Sequence, residues 1–142
     1  MSPQTATQIV TDHGIDIKAI RQELGITQAE LAQLVGFSLR AIQSCEQGWR
    51  HPGPALEKLV LLLLMAHRNG GSTPSFRCWE VKECDLEHCR QCITYRTGQG
   101  HLCWFLSGTL CGDGTNSEWE QKRTTCIKCK LFRMLLGDHN GN

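Results

Sequence analysis

The chain has almost no surplus of charge. Its 15 Lys and Arg stand against 14 Asp and Glu, six against six up to Gly70 and nine against eight after it. A broad positive field is therefore excluded as a source of affinity, and any contact with nucleic acid must come from placed groups and from dimerisation. Long apolar runs are missing too. The strongest, Leu59 to Ala66, falls short of the roughly 20 residues that cross a bilayer core of about 30 Å. Met1 to Val10 lacks both the basic run and the apolar core of an export signal. The expectation is a cytoplasmic protein with no membrane contact. No Ser/His/Asp set and no His-Glu-x-x-His helix is visible, so the chain does not read as an enzyme.

Cysteine is nearly absent from the first half, where Cys45 stands alone up to Gly70, and abundant in the second, which holds eight of the nine. So sharp a change in 142 residues predicts two small domains rather than one. The expected division is a tail over 1–14, a helical domain over 15–68, a linker over 69–76, a cysteine-rich domain over 77–134 and a tail over 135–142. The second domain can bury only a thin core, so it is expected to need cross-links or metal.

Local signals organise the first domain. Ile17, Ile20 and Leu24 recur at helical spacing until Gly25. Thr27-Gln28-Ala29-Glu30 has the form of a capping box ahead of Leu31, Leu34 and Val35, with Gly36 as the stop. Ser38 can cap a third helix with Ala41, Ile42 and Cys45 inward, and Gly48 can close it in the left-handed conformation. Pro54 suits the first position of a longer helix to about His67, and Asn69 to Pro74 reads as a linker. Leu59 to Met65 is apolar on all faces, so the surplus needs a partner, either a second subunit or the cysteine-rich domain. Beyond the linker, Leu102 to Leu106 could be a strand, Cys126 to Leu136 looks helical at its end, and Gly98, Gly100, Gly108, Gly112 and Gly114 mark turns.

Ile17 to Leu64 resembles the Cro or Xre-like helix-turn-helix of phage repressors. The resemblance rests on Arg21, the string from Leu24 to Ala32, Gly36-Phe37-Ser38, Ile42 through Glu46 to Gly48, and Pro52. It implies a five-helix domain in which Gln28 to Val35 and Ser38 to Gln47 form the motif. It also implies a buried ion pair of Arg21 with Glu46 joining the first and third helices, a structural role. Gln28, at a helix N-terminus that already favours a phosphate, can add a phosphate hydrogen bond. Ser38, Leu39, Arg40, Gln43 and Ser44 form the outward face of the third helix. Arg40 can bond guanine, Gln43 adenine, and Leu39 can touch a thymine methyl in the major groove of double-stranded DNA.

In the second domain Cys89/Cys92 and Cys126/Cys129 have the Cys-x-x-Cys spacing that lets two thiolates chelate one ion. With Cys78, Cys84, Cys103 and Cys111 they give eight candidate ligands. In a reducing cytoplasm such clusters are more often ligands than disulfides. Cys78 to Phe132 is also similar to the two-CW domain of prokaryotic signalling proteins. The matching residues are Cys78-Trp79-Glu80, Lys82 and Cys84, then Cys92 with Tyr95, Cys103-Trp104, Gly108 to Gly112, Lys122, and Cys126 to Cys129 with Phe132. That resemblance implies metal or iron–sulfur binding and a sensory role. Eight cysteines allow two four-thiolate zinc sites, or a four-iron cluster with four cysteines to spare. Trp79 and Trp104 either shield such a site or fill a small core.

The fold class expected is thus mainly α: an N-terminal helix-turn-helix domain followed by a loop-rich, metal-organised cysteine domain. The function expected is a transcriptional regulator, a homodimer on an inverted-repeat operator, whose iron–sulfur cluster or zinc responds to redox state or oxygen. The rival reading is an antitoxin-like or adaptor protein with a purely structural zinc domain.

Overall fold

The computed structural model describes residues 6–11, 14–70, 77–81, 83, 85–105 and 118–137. Among these the chain is mainly helical. A single turn, α1 (Ala6–Ile9), leads into a short antiparallel pair, β1 (Val10–Thr11) and β2 (Gly14–Ile15), with Val10 opposite Ile15. Four helices follow: α2 (Ile17–Leu24), α3 (Gln28–Val35), α4 (Leu39–Glu46) and α5 (Pro54–Arg68). After them come α6 (Cys78–Val81), α7 (Leu86–Gln91), α8 (Ile93–Arg96), a 3-10 turn over Gly100–Leu102, α9 (Trp119–Cys126) and α10 (Lys130–Leu135).

The start and stop signals act as their chemistry dictates. Asp16 Oδ1 accepts from Ala19 N at 3.0 Å to open α2. At α3 the capping box closes in both directions, Glu30 N donating to Thr27 Oγ1 at 3.1 Å and Thr27 N to Glu30 Oε1 at 2.9 Å. Ser38 Oγ accepts from Ala41 N at the head of α4. Pro54 opens α5, where its missing N–H costs nothing. Gly25, Gly36 and Gly48 are left-handed.

The expected five helices of the first domain become four over 17–68. Pro54 to Arg68 contains no internal Gly or Pro, so nothing interrupts α5. The expected N-terminal tail is built in at Ile9 and Val10, each only 1% exposed. At the other end Leu135 and Leu136 are equally buried. The expected strand at Leu102 to Leu106 is instead a 3-10 turn and a tight turn as far as Phe105, and Leu106 lies outside the described residues. The 3-10 turn is closely packed at its start, where Gly100 sits against Arg77 and a Cβ would meet Arg77 Cα at 2.7 Å. Trp104 Nε1 also bonds back to His101 O, a local link that an extended segment cannot make. Gly98 is a left-handed turn residue, whereas Gly108, Gly112 and Gly114 lie outside the described residues.

One hydrophobic core runs through both halves. It joins Ile20, Leu31, Ile42, Val60 and Leu64 to Trp104, Trp119, Leu131, Phe132 and Leu135. α5 is the shared wall. Leu56, Val60, Leu61, Leu64 and Met65 are buried, Leu59 and Leu63 pack against the same core, and Leu62 is the large apolar residue of this helix left exposed. The surplus apolar surface of α5 is therefore covered within the chain, and it does not argue for a second subunit. Trp104 stands fully buried at the centre of the C-terminal part, edge-on to Phe105, Trp119 and Phe132 with ring centroids 5.6 to 6.5 Å apart.

Candidate nucleic-acid interface

The outward face of α4 depends on how α4 is held. Arg21 on α2 grips Glu46 at the end of α4 through two hydrogen bonds, Nε to Oε2 at 2.7 Å and Nη2 to Oε1 at 3.0 Å. A fork-to-carboxylate pair fixes direction as well as distance. The third nitrogen, Nη1, donates to the Ile26 carbonyl at 3.0 Å, so the Arg21 charge is held between α2, the turn before α3, and α4. The Glu46 carboxylate beside it pushes the Arg21 pKa upward, against the opposing cost of burial. This is the ion pair that the resemblance implied.

Gln28, at the first position of α3, belongs to the same network: its Nε2 donates to Glu46 Oε1 at 3.1 Å. One side-chain N–H is thus committed inside the protein. The amide retains a second N–H to donate to a phosphate, and its orientation is set by Glu46, the residue that also anchors α4. Sequence reasoning placed Gln28 at the phosphate and did not see this bond.

Leu39, Arg40 and Gln43 are exposed on α4, and Ser44 is half-buried. Ser38 is exposed as well, with its oxygen accepting the cap bond and its O–H left to donate. The opposite side of the helix carries Ala41 and Ile42, buried at 6% and 0%. Cys45 is half-buried against the core, and burial pushes its thiol pKa up. One face is thus anchored in the core while the other offers a guanidinium, an amide, a hydroxyl and an isobutyl group. Trp49, just beyond α4, is 82% exposed, and Arg50 and His51 beside it are also exposed. Sequence reasoning assigned these three residues no role.

Of the eight candidate thiolate ligands, Cys78, Cys92, Cys103 and Cys126 are buried and Cys129 is half-buried. Cys84 and Cys111 lie outside the described residues, as does the side chain of Cys89. Among the described residues no three His, Cys, Asp or Glu side chains converge into a group that could hold a metal ion. His101 is half-buried. Trp104 fills the core, whereas Trp79 is half-buried and packs edge-on against Tyr95 at 4.9 Å.

Two residues that sequence reasoning passed over join the halves. Glu57, in the first turn of α5, is fully buried. It accepts from Ile15 N at 2.9 Å, Trp119 Nε1 at 2.8 Å and Arg123 Nη1 at 2.8 Å. Its signal was its position: it lies on the same helical stripe as Val60, Leu61 and Leu64, so a carboxylate there had to find buried donors. At the far end of α5, Arg68 pairs with Glu23 of α2 through bonds of 2.7 and 2.6 Å and donates to the Leu136 carbonyl at 2.8 Å. Hydrogen bonding from Arg68 holds the Glu23 pKa below the usual carboxylate range.

A sequence model of the helix-turn-helix family matches residues 17–64, about a third of the chain and the span of α2 to Leu64 in α5. No curated protein and no solved structure matches the chain. The match supports what the geometry of α3 and α4 indicates: the protein carries a DNA-binding helix-turn-helix of the kind found in regulators. Among the described residues no helix is long and apolar enough to cross a membrane.

Proposed function

We propose that the protein is a sequence-specific transcriptional regulator that reads the major groove with α4. The observation that carries this reading is the exposed row Leu39, Arg40 and Gln43 on a helix fixed from behind by the Arg21–Glu46–Gln28 network. Arg40 bonds the guanine edge, Gln43 an adenine, Leu39 a thymine methyl, and Ser38, Ser44 and Gln28 supply backbone or base-edge bonds. With so even a charge balance one reading head binds weakly, and this supports a homodimer on an inverted repeat. In a titration of the best duplex selected from a random pool, Arg40→Ala and Gln43→Ala are each expected to lose about 1–3 kcal/mol of affinity and to relax preference at one base pair. Unchanged affinity in both variants refutes the assignment.

The cysteine-rich half is proposed to hold a thiolate-bound centre, an iron–sulfur cluster of the four-iron type with zinc as the alternative. The support is its donor set. Soft sulfur ligands suit both groups, and Cys78, Cys92, Cys103 and Cys126 lie away from solvent. Cys89 with Cys92 and Cys126 with Cys129 are the residues that would hold it. A cluster would supply sensitivity to oxygen or redox state, whereas zinc would hold the fold. The core shared between the halves favours the structural reading as a real rival. Metal and sulfide analysis with a visible spectrum on anaerobically purified protein decides between them. Iron, sulfide and a brown colour lost in Cys126→Ser are expected; stoichiometric zinc without colour establishes the structural reading.

A further inference from the structure

The turn between α9 and α10 lies between two grips on α5. Upstream of it, α9 presents Trp119 and Arg123, whose Nε1 and Nη1 both donate to Glu57 Oε1 at 2.8 Å in the first turn of α5. Downstream, the last carbonyls of α10 are held by the last residues of α5. Arg68 Nη1 donates to Leu136 O at 2.8 Å and Asn69 Nδ2 to Leu135 O at 2.9 Å. The two grips, at Glu57 and Arg68, lie 11 residues apart toward opposite ends of one helix, about 16 Å along its axis. The turn that joins α9 to α10 begins at Cys126, which is buried, and ends at Cys129, whose N–H donates to the Cys126 carbonyl at 2.8 Å. Cys126 is three residues from Arg123 on the same helix, and Cys129 is the residue before α10.

Each grip leads on to the DNA-reading elements. Glu57 also accepts from Ile15 N, so the same carboxylate fixes the β1–β2 pair that precedes α2. Gly14 approaches it so closely that a Cβ there would lie 3.1 Å from Glu57 Oε2. Arg68 pairs with Glu23 on α2, two residues from Arg21, which holds α4 through Glu46. A buried carboxylate shared among three donors has no graded response: moving α9 withdraws two donors together and leaves a desolvated charge.

We infer that the Cys126–Cys129 turn controls the geometry of the DNA-reading helices through these two grips on α5, with Glu57 as the residue that couples them to the N-terminal half. The inference rests on the proposed DNA-binding function and on no particular metal. A change in the state or packing of the two cysteines shifts α9 against α10, and the shift reaches α2 from both ends of α5.

The test uses the full-length reduced protein. Glu57→Gln, Cys126→Ser and the double variant are titrated with the selected duplex, beside Arg40→Ala as a control on the DNA-binding reading. Each single substitution is expected to weaken binding about fivefold or more, and the double variant to be no weaker than the worse single one. Two losses that multiply, or a Cys126→Ser protein that binds like the unaltered one, overturn the coupling. Cys129→Ser takes the same place in the cycle if Cys126→Ser does not fold. If Arg40→Ala, like Gln43→Ala, leaves affinity unchanged, the DNA-binding reading is what fails. The indole N–H resonance of Trp119 reads the coupling without DNA. Cys126→Ser or Cys129→Ser should move it toward its position in Glu57→Gln, and an unmoved resonance overturns the inference whatever the titrations give.

Discussion

Arg123→Ala is expected to destabilise the whole protein by about 3–5 kcal/mol, a loss to be read from urea unfolding followed by far-ultraviolet circular dichroism. The expectation follows from what the substitution leaves behind. Glu57 and Arg123 are both buried, with side chains only 1% and 4% exposed, so alanine strands a carboxylate that has no route to water. Trp119 Nε1 and Ile15 N still donate to it, but neither carries a compensating charge. Glu57→Gln/Arg123→Met should recover most of the loss, because removing both charges removes the desolvation problem. If Arg123→Ala unfolds within about 1 kcal/mol of the unaltered protein, Glu57 is not the buried anchor its surroundings imply.

Trp104→Ala is expected to cost about 3–5 kcal/mol through the cavity it leaves. The ring is fully buried among Phe105, Trp119 and Phe132, and its N–H is satisfied by His101 O, so neither packing nor polarity is easily repaired. The measurement also tests the continuity of the core. With α5 shared between the halves, fluorescence, reporting mainly the tryptophans of the C-terminal part, and circular dichroism, reporting helices throughout, should move to lower urea together. Separate transitions would mean that the two halves unfold independently.

What was legible in the sequence was whatever the local chain decides for itself. The Thr27/Glu30 box, the Ser38 cap, the Pro54 start and the glycine stops each act within four residues, and each stands where the sequence placed it. The Arg21–Glu46 pair was legible through resemblance alone, since the partners are 25 residues apart and nothing local links them. α9 escaped notice because two of its inward positions are Lys122 and Arg123, buried at 1% and 3%. A helix that buries its cations shows no apolar stripe to read. The continuity of the core was hidden for a related reason. The apolar surplus of α5 announced a partner, and hydrophobicity, being non-directional, does not say whether that partner belongs to the same chain. At the interface, exposure of Arg40 and Gln43 followed from helical period, whereas the bond from Gln28 to Glu46 depends on the angle between α3 and α4, which the sequence does not state.

The span of the Glu57 joint has a consequence for synthesis. Arg123 follows Glu57 by 66 residues, so the N-terminal half leaves the ribosome with an acidic side chain committed to an interior that is not yet complete. At about 5–20 residues per second, Arg123 arrives about 3 to 13 s after Glu57. Until then the nascent helix-turn-helix carries an α5 whose shared core still lacks Trp119, Leu131 and Phe132. The reading head is translated first and finished last.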